Sequence, residues 1–297
     1  MRDPGGGATH PWRELGPGIR VRQSAAFSMN STVLSSPEHT VIVDPGVLPS
    51  ELDDLAEAVR RVETNAVTLL LTHAHWDHVL GRAWWPRASV LAHDRFAAAV
   101  RAHAGHILEK ARARARLHGE SWERDFTPYR PDQAVSGLHF AKLGPWRLVL
   151  RDAPGHDDSQ LTIHLPEQRL LIAADMLSDH EVPILDRPCA VYRHTLEELL
   201  PLALHGAIET LIPGHGTVAR GRVEAVARLT RDIGYLDRLA AAAREAVRDG
   251  SPVEVLEERL GTMDDRLRAM DETVREAHRD NIALEYRAAA LDAAPGS

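Results

Sequence analysis

The chain has 297 residues, of which 44% are hydrophobic and 26% charged, and its formal net charge is −8. This composition is ordinary for a folded globular protein, and the negative charge argues against a basic surface that wraps nucleic acid. The single cysteine, Cys189, excludes an internal disulfide and a zinc site made of four thiolates.

Strand and helix patterns alternate from the amino terminus onward. Residues 1–18 are rich in glycine and proline, are expected to be loose, and lack the apolar stretch of a signal peptide. Strands are predicted in "IRVRQ", "STVLSS" and "TVIVDPG", and a helical apolar stripe follows in "ELDDLAEAVRRVE". Two more strands are predicted in "NAVTLLLTHAH" and "ASVLAH", and residues 94–118 are predicted to form a helix.

Further strands precede a carboxyl-terminal part that contains helices alone. Strands are predicted in "WRLVLRDAPGH", "QLTIHLPE" and "RLLIAAD", and Thr195 with Glu198 resembles a capping box that opens a helix. After a last strand in "IETLIPGHG", helices are predicted over residues 222–248, 252–260 and 264–291. We therefore expect a mixed α/β (α+β) body at residues 19–221 and a C-terminal helical extension at residues 222–297.

The location and assembly of the chain are constrained only weakly. No segment approaches 18 consecutive apolar and uncharged residues, so no membrane span is expected. Without a signal-peptide pattern, the cytoplasm is the expected location. The oligomeric state is left open, a homo-oligomer included.

Side chains that bind metal ions follow the predicted buried strands at four separate places. They are His73, His75, Asp77, His78, His156, Asp175 and His215. Loops at strand ends can hold several ligands at fixed distances, and imidazole with carboxylate suits zinc, manganese or iron better than calcium. Seven such groups are too many for one tetrahedral ion and suit two divalent ions that share a carboxylate.

The spacing within the first cluster predicts how its members point. Residues two apart in an extended segment face the same way, so His73, His75 and Asp77 are expected on one side and His78 on another. Asp44, in "VIVDPG", follows a different strand. It is a candidate to orient one of the histidines without binding the metal itself.

Other residues are candidates for the walls of the cleft. The helical segment within residues 95–130 is expected to wall or cover it. His278 and Asn281 share one face of a tail helix and are candidates to reach the site. The candidate substrate contacts, all in or after the segment that follows Asp175, are His180, Tyr192 and His194.

Together these residues resemble the motifs of the metallo-β-lactamase-fold hydrolases, the group that includes glyoxalase II and the acyl-homoserine lactonases. The motif HxHxDH stands at residues 73–78. The later family histidines resemble His156 and His215, the bridging acid resembles Asp175, and the early buried aspartate resembles Asp44.

The resemblance covers roughly residues 19–220 and implies a four-layer αββα sandwich with the metal site at one edge of the sheets. It implies one metal ion on His73, His75 and His156, a second on Asp77, His78 and His215, and Asp175 between them. Asp77 and Asp175 are also the expected catalytic residues, which orient the attacking water or accept its proton.

Departures from family patterns narrow the expected activity. Zinc β-lactamases with a cysteine ligand carry it where this chain has Asp175, and another lactamase subclass has no acid there. Flavin and diiron oxygen reductases of this fold have a glutamate in the place of His75. RNA-processing members carry a large insertion between the residues that correspond to Asp175 and His215, and here that segment is short.

The sequence therefore predicts a hydrolase that uses two divalent ions, zinc foremost and manganese or iron as alternatives, on a small-molecule substrate. Metal-bound water has a pKa near neutrality, so we expect a hydroxide that attacks an ester, thioester or lactone. Two alternatives stay open. One is a phosphodiesterase or nuclease of the same fold, and the other is a persulfide-dioxygenase-like enzyme with a single iron on His73, His156 and Asp175.

Overall fold

The computed structural model describes residues 12–269 and 272–293, in which two β-sheets pack face to face. The first sheet has the order β1-β2-β3-β4-β5-β6-β7, with strands at Arg13–Gly16, Ile19–Gln23, Asn30–Leu34, Thr40–Val43, Val67–Leu70, Ser89–His93 and Gln133–Val135. The second has the order β13-β12-β11-β10-β9-β8. In chain order, β8 to β13 are Leu138–Leu143, Trp146–Asp152, Leu161–Leu165, Leu170–Ile172, Thr210–Ile212 and Ala219–Arg220.

Alternating side chains bury both faces of the first sheet. Val33 and Ile42 belong to a core beneath helices, whereas Leu34 and Val41 belong to the core between the two sheets. Neighbouring residues of a strand point to opposite faces, so strands that are apolar at successive positions must be covered on both sides. The apolar runs of the sequence thus require the sheets to lie between helical layers.

Helices supply the two outer layers. Helices α1 (Pro49–Arg60) and α2 (Phe96–Leu117) share a core with the first sheet. The other helices are α3 (Cys189–Leu204), α4 (Arg222–Arg248), α5 (Val253–Leu260), α6 (Arg266–Ala269) and α7 (Glu272–Asp292). Helices α3, α4, α5 and α7 share one core with the second sheet. The predicted αββα sandwich with a C-terminal helical extension is therefore confirmed.

The ends of several strands lie at one edge of this sandwich. Strands β4, β5 and β6 run parallel, so the segments that follow them leave the first sheet on the same side. In the second sheet β11 runs parallel to β12, and β9 has the same direction because β10 is antiparallel to both β9 and β11. The polar segments that follow these strands are consequently gathered at a single edge.

Local expectations differ from the structure at both ends of the chain. Residues 1–11 of the segment expected to be loose lie outside the described residues, but Arg13–Gly16 pairs with β2 and is not loose. The helix predicted over 264–291 is present as the two helices α6 and α7, and residues 270–271 between them lie outside the described part.

The predicted capping box at Thr195 is also wrong. Helix α3 begins at Cys189, directly after Pro188, so Thr195 lies within the helix. Its hydroxyl donates a hydrogen bond to the carbonyl of Pro154 at 3.0 Å. Pro188 stands directly before the first helical residue, where its missing N–H costs no backbone hydrogen bond. The helix therefore begins after this proline and not at Thr195.

Among the described residues, no helix combines the length and apolar character that crossing a lipid bilayer requires.

Candidate metal centre

The segment after β5 changes direction between its histidines. It has no regular secondary structure as far as His75 and then turns, with the backbone N–H of His78 donating to the carbonyl of His75 at 3.1 Å. The turn ends the alternation of side chains, so the expectation that Asp77 shares a side with His73 and His75 is wrong. Asp77 instead groups with His78 and His215.

The seven predicted residues converge into two neighbouring groups. Within each group, one possible ligand atom from every residue lies within 4.8 Å of the others. The first group consists of His73, His75, His156 and Asp175, and the second of Asp77, His78 and His215. Nε2 of His156 lies 3.0 Å from Nδ1 of His75, although 81 positions separate them. The two sheet edges thus supply the groups jointly.

The Asp175 carboxylate lies between the groups. Its Oδ2 atom is 3.6 Å from Nε2 of His73 and 3.3 Å from Nε2 of His156. The same oxygen is 3.3 Å from Nε2 of His215, and Oδ1 is 3.2 Å from Nε2 of His78. One carboxylate therefore faces nitrogens of both groups, which is the arrangement that a bridging ligand requires.

Asp44 holds two members of the cluster through hydrogen bonds. Its Oδ1 accepts the backbone N–H of Thr72 at 2.9 Å, and Oδ2 accepts the Thr72 hydroxyl at 2.6 Å. Oδ2 also accepts from Nδ1 of His78 at 2.9 Å. Because the Thr72 hydroxyl proton points to Asp44, Thr72 Oγ1 can accept from Nδ1 of His73, 3.0 Å away. When neutral, both imidazoles carry their proton on Nδ1 and direct the Nε2 lone pair into the cluster.

Backbone carbonyls orient two more histidines in the same way. Nδ1 of His156 donates to the carbonyl of Ile184 at 3.1 Å, and Nδ1 of His215 donates to that of Phe27 at 3.0 Å. A carbonyl only accepts, so Nδ1 carries a proton in both rings, and in the neutral form the lone pair is on Nε2. These two histidines therefore have the tautomer that a metal-ligating imidazole needs.

Buried polar atoms at the centre fit a cation. Nε2 of His73, Nε2 of His78 and Oδ1 of Asp175 are buried without a hydrogen-bond partner among the described residues. Unsatisfied buried nitrogen and oxygen atoms are costly, and coordination of a divalent ion satisfies them. The donor set of imidazoles and carboxylates suits zinc, manganese or iron, and the residues present therefore fit such ions.

The pKa values of His73, His75 and Asp175 favour the protonation states that metal coordination needs. Burial, and then the neighbouring His78, hold the pKa of His73 well below its usual range. Burial, and then His156, lower the pKa of His75 to about 4. Burial would raise the pKa of Asp175, but His78 and His215 outweigh it and keep that pKa well below its usual range. At neutral pH these two imidazoles are neutral and the carboxylate is ionised.

The cluster lies at the floor of a cleft of about 570 Å³. One wall comes from α2, through His103, His106, Ile107 and Lys110. The lining also includes Glu181, Ile184 and Asp186 from the segment between β11 and α3, Thr273 from α7, and the apolar rings of Phe27 and Trp76. A cleft of this size and mixed lining suits a small molecule.

The three predicted substrate contacts do not line this cleft within the described residues. Tyr192 is fully buried, and its hydroxyl donates to the backbone carbonyl of Asp175 at 3.2 Å, so it supports the site from behind. His194 lies on the exposed face of α3. The His180 ring lies beside the carboxylate of Asp179, which is also absent from the cleft lining.

Most of the residues that line the cleft were not among the predicted site residues. His103 and His106, for example, face the cleft from α2. Helix α2 cannot be removed to test this wall, because Phe96, Val100 and Ile107 are buried in the core under the first sheet. The expected role of residues 95–130 as a wall is therefore best tested by single substitutions.

The family of the chain follows from a sequence model. The model of the metallo-beta-lactamase superfamily matches residues 26–215, which is more than half of the chain. The chain therefore belongs to the metallo-beta-lactamase superfamily.

Solved structures with the same fold include a stereoselective inverting sec-alkylsulfatase, Pisa1, from Pseudomonas sp. The match has a TM-score of 0.71 at 14% identity and covers 96% of this chain and 50% of the sulfatase, so this chain spans half the length of that protein. A metallo-beta-lactamase family protein from Thermus thermophilus has a TM-score of 0.64 at 20% identity, over 92% of this chain and 94% of its own. The B3 metallo-beta-lactamase BLEG-1 matches with a TM-score of 0.51 at 19% identity, over 73% and 99%.

Gly214 tests the position of the shared carboxylate. A methyl group at residue 214 would overlap the Asp175 carboxylate, so Gly214→Ala should displace it and weaken zinc binding by about tenfold or more. Competition with a chromogenic chelator measures the affinity. Gly105→Ala in α2, where a methyl group meets open space, is the control and should bind zinc normally. Equal zinc affinity in the two variants would contradict the position described for Asp175.

Lys110 tests the wall formed by α2. Lys110→Glu reverses one charge at the cleft, which should raise KM for an ester with a carboxylate tail about fivefold, since a partly exposed charge contributes about 1 kcal/mol. KM for the corresponding neutral ester should not change. Lys142→Glu alters the only other lysine of the sequence, on β8 and away from the cleft, and should affect neither ester. An equal change for both esters in Lys110→Glu would contradict this prediction.

Proposed function

We propose that the protein is a hydrolase that holds two divalent metal ions, zinc foremost, and cleaves an ester, thioester or lactone of a small molecule. The coarser class, a hydrolase of the metallo-beta-lactamase superfamily with a metal-binding cluster, is supported by the family match and by the grouped ligands. The proposal adds the number of ions, their identity and the chemical class of the substrate.

One observation carries the proposal. Two complete groups of possible ligands adjoin each other at the floor of a cleft, and Asp175 faces both of them. A structural cluster has no need of a second group, nor of an open cleft above it. The first ion would be held by His73, His75 and His156, the second by Asp77, His78 and His215, with Asp175 shared between them.

The metal ions, when bound, lower the pKa of a coordinated water and polarise an oxygen of the substrate. The protein's own contribution is to fix the ligands and to hold charge at the cleft floor. Burial would raise the pKa of Asp77, but His78 and His215 outweigh it and lower that pKa to about 2. Asp77 therefore remains an acceptor at neutral pH and, with Asp175, can orient a water molecule or accept its proton.

The cleft favours a neutral acyl group over a phosphodiester. Glu181 and Asp186 bring carboxylates to one side of it, which repel a polyanion. Phe27 and Trp76 offer apolar contact to the remainder of a small substrate. The net charge of −8 also disfavours the approach of a nucleic acid, which is itself negatively charged.

A sulfate ester is a second candidate substrate. The likeness to the sec-alkylsulfatase extends over 96% of this chain and so includes the helical extension, whereas the likeness to BLEG-1 covers 73%. A panel of 4-nitrophenyl acetate, a thioester, a lactone, 4-nitrophenyl sulfate and bis(4-nitrophenyl) phosphate separates these activities. The proposal requires acyl hydrolysis to exceed sulfate and phosphate hydrolysis.

The proposed metal count is tested by replacing the shared carboxylate. The purified protein should contain two zinc ions per chain by mass spectrometry of metals. Asp175→Ala should contain one or fewer, and turnover should fall by at least about 100-fold, since both ions lose a ligand. Asp237→Ala, at an exposed ion pair with Arg193, should retain both metal ions and full activity. Two ions and full turnover in Asp175→Ala would overturn the proposal.

His215 distinguishes a two-metal hydrolase from a one-iron oxygenase. An iron site on His73, His156 and Asp175 does not involve His215, so His215→Ala would keep oxygen uptake with a persulfide. In the proposed enzyme the same substitution removes a ligand of the second ion, and hydrolysis should fall by at least about 100-fold. Iron at one per chain with oxygen uptake that survives His215→Ala would favour the oxygenase.

A further inference from the structure

One wall of the cleft has no regular secondary structure of its own. The wall loop, residues 178–188, joins β11 to α3 and contributes Glu181, Ile184 and Asp186 to the cleft. Ile184 has a second role, because its carbonyl accepts the Nδ1 proton of His156 at 3.1 Å. The position of this loop therefore decides both the cleft wall and the orientation of one predicted ligand.

The helical extension supplies the partners of the wall loop. Arg266, on α6, donates to the carbonyl of Ser178 at 3.2 Å and to that of Glu181 at 2.7 Å. Its guanidinium is buried and is itself held by Asp232 at 2.7 Å and by Asp264 at 2.9 Å. A loop that forms no helix or sheet hydrogen bonds depends on such side-chain donors, because a buried carbonyl without a donor costs free energy.

Asn281, on α7, contacts the part of the wall loop that lies nearest to His156, the predicted metal ligand. Its Oδ1 accepts the backbone N–H of Leu185 at 2.9 Å, and its Nδ2 donates to the carbonyl of Pro183 at 2.6 Å. The side chain is fully buried and thus joins the residues on either side of Ile184. Two bonds on the flanking residues fix the direction of the Ile184 carbonyl, and that carbonyl fixes the His156 ring.

Residues behind Asn281 hold it in place. Nδ2 also donates to the hydroxyl of Tyr235 at 2.9 Å, and that hydroxyl lies 2.8 Å from Nδ1 of His278. Nε2 of His278 lies 3.1 Å from the carbonyl of Leu260. His278 is therefore a buried packing residue, whereas Asn281, on the same face of α7, reaches the wall loop.

We infer that Asn281 is a positioning residue of the metal centre, acting on His156 through the backbone of Pro183, Ile184 and Leu185. The extension is then part of the active site, although none of its described residues belongs to the two ligand groups. This inference rests on the proposed role of His156 as a ligand. Replacement of a residue that orients a metal ligand commonly lowers metal affinity by about 10–100-fold, and we expect a loss in that range when Asn281 is replaced.

The test compares three substitutions in the full-length, zinc-loaded protein. Asn281→Ala removes the bonds to the wall loop and should weaken the more weakly bound zinc ion at least about tenfold in chelator competition. Tyr235→Phe removes two buried hydrogen bonds but leaves those between Asn281 and the loop. Tyr286→Phe removes the bond between α7 and the carbonyl of Ser251, 2.9 Å long and remote from the loop.

Thermal unfolding of the same variants separates positioning from general stability. Asn281→Ala and Tyr235→Phe should both lower the melting temperature, but only Asn281→Ala should weaken zinc binding. Zinc affinities that follow the melting temperatures across all three variants would overturn the inference and leave the extension a purely structural role. Wild-type zinc affinity in Asn281→Ala would overturn it equally.

A second variant covers the case in which Asn281→Ala does not fold. Asn281→Asp keeps an acceptor for the N–H of Leu185 and loses the donor to Pro183, so zinc affinity should fall about threefold; an unchanged affinity would then overturn the inference. Failure of the proposed function is distinct, because it appears as wild-type protein with fewer than two zinc ions or without hydrolysis. The zinc measurement needs no substrate.

Discussion

The central constraint on this structure is that five imidazoles and two carboxylates lie together in one largely buried cluster. Such groups lose hydration there, and His73, His78 and Asp175 each have an atom at the centre to which no described residue offers a hydrogen bond. A cation that accepts their lone pairs offsets this cost, and the two sheets provide the rigid edge that keeps the groups close. The ligands come from segments as distant in sequence as His75 and His156, so only a folded sandwich can assemble them.

Rigid orientation of the rings matters as much as their proximity. Asp44 and the carbonyls of Ile184 and Phe27 each hold an Nδ1 proton, which leaves Nε2 free toward the centre. The backbone is strained beside these groups, since Asp44 has φ of +47° and Ala174, next to Asp175, has φ of +51°. Residues other than glycine in this region cost of order 1–3 kcal/mol, which the surrounding bonds must compensate.

The cleft above the cluster is lined by segments that lie far apart in the sequence. Helix α2 and the wall loop both line it, and the loop is anchored by the C-terminal helices through Arg266 and Asn281. Most of the cleft lining therefore comes from segments outside the HxHxDH motif.

The amino-acid sequence by itself indicated a mixed α/β body, most of its strands and helices and the identity of the seven clustered residues, because apolar periodicity and strand-end polar motifs are local properties. The sandwich was expected only from the resemblance of its motifs to a known family. The residue spacing put Asp77 on the side of His73 and His75, whereas the folded chain turns after His75 and groups Asp77 with His78, as the resemblance implied. The tertiary structure alone decided that Tyr192 supports Asp175 from behind and that His103 and Asn281 face the cleft or its wall loop. These outcomes depend on how helices dock on the sheets, and docking is set by contacts between residues far apart in the chain, which no local pattern records.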